Sequence, residues 1–293
     1  MKDLKQALPE KTQTGTTVID SGVKVEVSDD KFVLLTGAFG GMGKAVQKML
    51  SNAGYKVFAC DLVVEEGGDE NIIPIKLDVT SDEDIAKAKE KICKHTEKLF
   101  AIVNLAGIFK MNTLLEVDES LFRKTVEVNF WGTFKINRAF FDMLQKGSKI
   151  INMSSEVAKY SVPPFNSVYT IPKILVDSYS DGLRRELKYL GVQVVKIRSG
   201  SFKTNLLGDA EGAYNQLIDN TKYYKKELTT FKKFVMGELK KQNNPDKIAK
   251  LILKILNKKK AKRVYHIKNS FKLKLLGGMP EGLQDVIYKI VIK

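Results

Sequence analysis

The sequence predicts an α/β chain built on a doubly wound parallel sheet, and three observations predict it. Short apolar runs alternate with stretches of helical spacing. A glycine-rich turn follows the first of those runs. The 293 residues give one large domain enough length for a sizeable core.

Residues 1–30 are polar and rich in Thr, Gly and Asp, with one alternating stretch, VKVEV at 23–27. They are expected to form an arm carrying at most one edge strand, so the single domain is placed at 31–293. FVLLT (32–36) is a short apolar run expected to be a buried strand, and GMGKAVQKMLSNAG has helical spacing with Gly54 as its stop. KVFAC (56–60) is the second strand. NIIPIKLDV (71–79) is the third, its proline pointing to an end or a bulge. SDEDIAKAKEKICKH opens with a serine cap and acids in the first turn, which begins a helix. LFAIVNLAG (99–107) is strand four, a long helix is expected over 118–146, and SKIINMSS (148–155) is strand five. The helix holding NSVYTIPK (166–173) should run to about Tyr189 and end at Gly191, ahead of strand six, VQVVKIRSG (192–200).

Composition is ordinary for a soluble globular protein, at 43% hydrophobic and 28% charged residues. The opening residues lack the apolar core of a signal peptide, and no apolar run approaches the length of a spanning helix. Cys60 and Cys93 are too few for a disulfide framework and are expected as buried free thiols. A cytoplasmic protein, membrane-peripheral at most, is the resulting expectation. His95 and His266 stand without metal-ligand spacing, so no metal site is expected.

The net charge of +15 is unevenly placed. Residues 222–293 hold 20 Lys/Arg against 5 Asp/Glu, so the whole excess lies in the last quarter. A solvated lysine-rich surface is the plain reading; an anionic membrane surface or an acidic partner are the functional ones. No nucleic-acid-binding module accompanies the charge, and no nucleic-acid partner is expected.

The turn after the first strand reads TGAFGGMG (36–43) and leads into a helix. Gly37, Gly41 and Gly43 allow a tight turn and close approach of backbone N–H groups to a pyrophosphate, which then faces a helix N-terminus. Asp61 follows strand two. A carboxylate there can accept from the hydroxyls of an adenosine ribose and repels a 2′-phosphate, and no Arg or Lys occupies the turn or position 62. NAD is therefore expected over NADP. Asp78 at the end of strand three is placed either to approach adenine or to cap the next helix.

Tyr169 and Lys173 lie one helical turn apart, on one face. A free tyrosine titrates near ~10, so acid/base work at neutral pH needs positive charge nearby, which the lysine can supply. Pro172 between them forfeits one backbone hydrogen bond and pushes against the carbonyl near Val168. That costs roughly 3 kcal/mol in a helix interior and less near the start, so a tolerable kink is expected.

Taken in order, TGAFGGMG (36–43), Asp61, NLAG (104–107), VNFWG (128–132), NMSS (152–155), Tyr169-x-x-x-Lys173 and RSGSFKT (198–204) resemble the short-chain dehydrogenase/reductase family over about residues 31–270. The pattern is nearest its retinol and hydroxysteroid dehydrogenase branch. The resemblance implies a Rossmann fold and a catalytic set of Asn129, Ser155, Tyr169 and Lys173. Tyr169 would be the acid/base, Ser155 would hold the substrate oxygen, and Asn129 would anchor a water chain. It also implies cofactor contacts from Thr36, Gly37, Phe39, Gly41, Met42, Gly43, Asp61, Asp78, Val79, Asn104, Ala106, Gly107, Tyr169, Lys173, Gly200, Phe202 and Thr204. Ser155 lies one residue further from the tyrosine than is commonest, which the Pro163-Pro164 loop absorbs. Ser199 replaces the usual proline before Gly200, a change bearing on cofactor affinity more than on chemistry.

Apolar and aromatic residues crowd 202–236, a stretch that either forms a helical substrate lid (about 203–245) or buries a helix pair against the core. The expected function is hydride transfer between NAD(H) and a lipophilic secondary alcohol or ketone: a steroid, retinoid or bile acid. The alternatives are a short hydroxy-acid dehydrogenase of the same family, or a catalytically weak NAD-binding scaffold. Family members often pair through the helices starting near 118 and 167, so a homodimer or homotetramer is implied. The basic segment 246–293 divides. Ile248, Leu251, Ile252, Ile255 and Leu256 share a face suited to the sheet, whereas 268–293 suits reversible contact with an anionic membrane.

Overall fold

A computed structural model describes residues 31–65, 67–160, 162–203, 210–239 and 242–292. The expected N-terminal arm and Thr204 lie outside the described residues.

Seven parallel strands form one sheet in the order β3-β2-β1-β4-β5-β6-β7. These are β1 (Lys31–Thr36), β2 (Tyr55–Asp61), β3 (Ile72–Lys76), β4 (Leu99–Asn104), β5 (Leu144–Ser155), β6 (Gln193–Ser199) and β7 (Val264–Ile267). Val33, Leu34 and Leu35 of β1 are fully buried on both faces of the sheet, which is why the strand is a continuous apolar run rather than an alternating one. One layer includes α1 (Gly41–Asn52) and α8 (Asp246–Leu256), whose Ile248, Ile252, Ile255 and Leu256 are buried in that core. The other includes α2 (Asp82–Cys93) and α4 (Gly132–Ala139), which bury Ile85, Ile92 and Ile136. The lysine-bearing α8 therefore packs against the sheet, as its apolar spacing predicts.

The chain runs outward from β1 to β3, then returns to the other side of β1 with β4. Ligands enter such sheets in the crevice beyond the strand ends at this reversal. Register places Thr36 beside Asn104, Asn104 beside Asn152, and Ser155 beside Ser199, so four strands deliver polar residues to that end.

The expected helix over 118–146 is broken. It resolves into α3 (Glu119–Val126), a π turn at Glu127–Trp131 and α4, and β5 already begins at Leu144. The π turn carries Asn129, whose carboxamide both accepts from and donates to the backbone of Ile108 at 2.9 Å. Gly132 lies so close to Val79 that a Cβ there would sit 2.6 Å from Val79 Cγ2. Long-range contacts of this kind override helical spacing. Leu144 ends the helical run because it is buried in the core that also holds Phe140 and Met143. The sequence gives no sign of β7, which is three half-buried residues and the exposed His266 after a lysine run. Cys60 is a buried free thiol, but Cys93 is exposed, because Ile92 takes the inward position at the end of α2.

Helix α5 (Ser167–Leu187) continues through the buried Pro172, and Gly191 closes the segment at a left-handed φ of 75°. Asn166 precedes the helix without a side-chain cap, and its carbonyl accepts from the amides of Tyr169 and Thr170. Helices α6 (Ala210–Asn220) and α7 (Lys225–Leu239) bury Tyr214, Leu228, Phe231 and Val235 in a cluster apart from the sheet cores, against Met111 and Phe165. The apolar residues of α6 and α7 thus build a small core of their own, while Phe202 joins the sheet core. Two short helices, α9 (Phe271–Leu276) and α10 (Glu281–Ile292), end the chain.

Candidate active site

A cavity of about 930 Å³ opens over the strand ends, running from the glycine turn to Tyr169 and Lys173. Gly37 has φ +67°, and a Cβ on it would sit 2.7 Å from the Ala106 amide nitrogen. A Cβ on Gly43 would come within 2.0 Å of the Gly37 carbonyl oxygen. Both positions exclude any side chain, and no side chain caps the first turn of α1. What results is a backbone cradle facing a helix N-terminus, which suits a pyrophosphate. Phe39, Gly41, Met42, Val79, Ala106 and Gly107 line the cavity as expected.

Asp61 also faces the cavity. Its two carboxylate oxygens accept from the amides of Phe39 and Leu62, each at 2.8 Å. It therefore caps the turn and still presents lone pairs to a ligand. Asp78 lines the wall while accepting from the amide and hydroxyl of Thr80 at 2.8 and 2.7 Å. Four expected cofactor residues stand away from the cavity wall. Thr36 is buried and accepts from the Ala106 amide at 3.3 Å. Asn104 is buried and donates to Asn137 and Asn152 at 2.8 and 2.9 Å. These two brace the cradle from behind. Gly200 is packed against Lys268, whose carbonyl oxygen would lie 2.0 Å from a Cβ, and Phe202 is buried in the sheet core. Ser199 lines the cavity in their place.

At the chemical end the Tyr169 phenol is hydrogen-bonded to the Ser155 side chain. The neighbouring Ser154 hydroxyl instead donates to Asp177 at 3.1 Å, so geometry separates the two serines. Lys173 donates to the Met153 carbonyl at 3.2 Å, and its Nζ lies 5.7 Å from the centroid of the Tyr169 ring. Pro172 has not turned it away. Burial brings the Lys173 amine down to about 8. Burial pushes Tyr169 up to about 12; Ser155 opposes that and the charge of Glu156 adds to it. A lysine-lowered tyrosine was expected. In the structure desolvation raises the tyrosine, and the Lys173 ammonium is turned toward the Met153 carbonyl.

A family model described as "short chain dehydrogenase" matches residues 31–214. The chain belongs to that family. This short-chain dehydrogenase is 32% identical to mouse estradiol 17-beta-dehydrogenase 2 over 239 residues, 74% of its own chain and 62% of the mouse protein. It therefore spans less than two thirds of that relative. It is 31% identical to mouse retinol dehydrogenase 16, covering 74% and 72% of the two chains. It is also 30% identical to bovine D-beta-hydroxybutyrate dehydrogenase, mitochondrial, covering 64% and 59%. A solved short-chain dehydrogenase from Streptomyces avermitilis superposes with a TM-score of 0.69 at 23% identity, covering 89% and 95%, which shows the fold.

Several residues of the dehydrogenase's site carry no signal in the sequence. Phe109 packs edge-on against the Tyr169 ring at 4.9 Å between centroids. Phe165, just ahead of α5, is held at φ 63° and touches both Tyr224 and Phe231, so it ties the start of α5 to the helical cluster. Lys44 lines the cavity one residue beyond the glycine turn, its Nζ 2.6 Å from Glu65. Glu156 is buried beside Ser155 and accepts from the Ser270 amide at 2.5 Å.

Beneath the site, Asp177 lies one turn beyond Lys173 on α5. It accepts from Lys196 at 2.6 Å and from Arg198 at 2.8 and 2.7 Å. Lys196 is 2% exposed and also pairs with Asp181 at 2.7 Å. This buried network clamps α5 to β5 and β6, fixing the rotation that aims Tyr169 and Lys173.

Proposed function

We propose that the chain transfers hydride between NAD(H) and a lipophilic secondary alcohol or ketone, with Tyr169 as the acid/base. The observation carrying this reading is the half-buried Tyr169, its hydroxyl hydrogen-bonded to Ser155, at the far end of a cavity that begins in the glycine cradle. A bound nicotinamide ring would accept or supply the hydride. Gly37, Gly41 and Gly43 would admit the pyrophosphate, Asp61 the adenosine ribose, and Lys173 the nicotinamide ribose. Ser155 would fix the substrate oxygen, and Tyr169, holding its proton at neutral pH, would donate it to a carbonyl or take it back from an alcohol. Asn129 would order the backbone at Ile108, beside the route by which the proton leaves.

Support for NAD over NADP is the Asp61 carboxylate, which repels a 2′-phosphate. Lys44 could attract that phosphate, but its charge is matched by Glu65. Solved structures of the same fold, at 18% and 19% identity, hold NADPH and NADP, so the preference rests on this chain's own side chains. Support for a lipophilic substrate comes from Phe109 packed on the Tyr169 ring, from the apolar α6–α7 cluster that takes in Met111 and Phe165, and from relatives named for estradiol and retinol. The relative named for D-beta-hydroxybutyrate favours a second reading, a short hydroxy acid.

Self-association would use the face of α4 and α5, where Trp131, Ile174 and Leu175 are exposed beside a cluster of Phe130, Phe134 and Tyr179. A reducing, cytoplasmic setting fits the free Cys60 thiol.

NAD reduction by the purified chain with steroid, retinoid, bile-acid and short hydroxy-acid substrates tests the reading. Tyr169→Phe should abolish turnover with cofactor binding retained. Turnover within about tenfold of the parent would remove Tyr169 from the chemistry, since general acid/base groups contribute roughly 10²–10⁴ in rate.

A further inference from the structure

Helix α10 breaks the usual rule for a terminal helix. Leu283, Val286 and Ile290 recur at the three- and four-residue spacing of one helical face, yet all three are exposed, Ile290 at 68%. Phe271 and Leu275 do the same on α9, with Phe271 76% exposed. Neither helix has a buried residue, although Ile292 touches the cluster formed by α6 and α7. Each of the last two described helices therefore carries an exposed apolar face, two residues on α9 and three on α10.

The surface lies within the segment that holds all of the chain's excess positive charge. Lys272 and Lys274 are exposed between the apolar residues of α9, Lys272 lying 3.8 Å from the Glu238 carboxylate, and Lys289 stands beside Ile290. Glu281 and Asp285 are exposed in the first half of α10, at its N-terminal end. Basic groups bordering an exposed apolar face match the chemistry of an anionic lipid headgroup layer over acyl chains.

A second copy of the chain is the competing occupant. α10 is 12 residues long, so its face measures about 18 Å by 10 Å, and α9 adds about half as much. The total of roughly 300 Å² falls well below the about 800 Å² per partner of a standard interface. Two such faces would also oppose like charge to like charge.

We propose that α9 and α10 form a docking surface for an anionic membrane, with Phe271, Leu275, Leu283, Val286 and Ile290 entering the headgroup–acyl boundary. Docking would be peripheral, because among the described residues no helix is long and apolar enough to cross a membrane. The surface is joined to the active site. Ser270, the cap of α9, is held by Glu156, which follows Ser155 in the chain. A substrate dissolved in the membrane would then meet the enzyme on the side where the α6–α7 cluster lies. The docking claim rests on this surface and not on the substrate reading, so either can fail alone.

The test is sedimentation of the full chain with phosphatidylserine-rich vesicles and with pure phosphatidylcholine vesicles, at low and moderate salt. Two variants accompany it, Phe271→Asp/Ile290→Asp and Lys272→Glu/Lys274→Glu, each checked by circular dichroism and by NADH binding. The parent should pellet with the anionic vesicles at low salt, less at moderate salt, and little with the neutral ones. Two lysines near an anionic surface account for about thirtyfold in partition, so the charge variant should fall by at least that factor, and the apolar variant should fall too. Absence of pelleting, equal pelleting of parent and variants, or equal pelleting with both lipids would overturn the proposal. So would a dimer in light scattering that the apolar variant abolishes, because a second copy would then cover the face. Loss of NADH binding in the parent would count against the redox reading only.

Discussion

Glu156→Gln isolates one titrating group at the edge of the site. Burial, with the charge of Glu238 adding, pushes the Glu156 carboxyl from 4.5 to about 7, against the pull of the Ser270 amide. A carboxyl whose native value is raised stabilises the fold while protonated. That contribution is complete below the unfolded value of 4.5 and is lost as pH rises through about 7. At about 1.4 kcal/mol per pH decade the ceiling is about 3 kcal/mol, and residual solvent access brings the expectation to about 2 kcal/mol. Glutamine keeps an oxygen for the Ser270 amide and does not titrate. Parent and variant should therefore unfold alike near pH 4.5, and the variant should be the more stable above pH 7, by on the order of 5 °C in Tm for a chain of this size. The assay is thermal unfolding by circular dichroism across that range, for both proteins in matched buffers. A Tm difference that stays constant from pH 4.5 to 8 would refute the argument. The same substitution removes a negative charge that raises Tyr169. The rising limb of alcohol oxidation, along which Tyr169 loses its proton, should accordingly move to lower pH.

Gly43→Ala places a methyl 2.0 Å from one backbone oxygen and 2.5 Å from another, neither of which can swing aside. It should abolish NADH fluorescence enhancement and cost about 1–3 kcal/mol of stability; unchanged binding and Tm would show that the turn tolerates a side chain. Asp61→Ala should weaken NAD and narrow its preference over NADP. Glu65→Gln should narrow that preference as well, by freeing Lys44; a parent that already prefers NADP in paired titrations would count against both assignments. Asp177→Asn removes the carboxylate that holds Arg198 and leaves Lys196 with Asp181 alone, which should cost about 3–5 kcal/mol in denaturant unfolding. A loss below about 1 kcal/mol would mean that α5 is held by other contacts.

The sequence determines the strand and helix order through β6, the glycine cradle, and the pairing of Tyr169 with Lys173. Each of these is local: an apolar run fit only for a doubly covered strand, glycines where a Cβ would strike backbone, two side chains one helical turn apart. Other features depended on contacts between distant residues. The long helix breaks at Asn129 because its carboxamide is matched to the backbone of Ile108, 21 residues earlier. Thr36 and Asn104 stand behind the cradle because strand register pairs them with each other and Asn104 with Asn152. Tyr169 is raised rather than lowered because folding buries it beside Glu156, a cost that no spacing along the chain encodes. The fate of two lysine-bearing helices was decided in the same way. α8 and α10 both carry apolar residues at helical spacing, yet α8 packs beside α1 on the sheet, and α10 is left with Leu283, Val286 and Ile290 exposed. Amphipathic spacing says that a helix has an apolar side; only the packed structure says whether protein covers it.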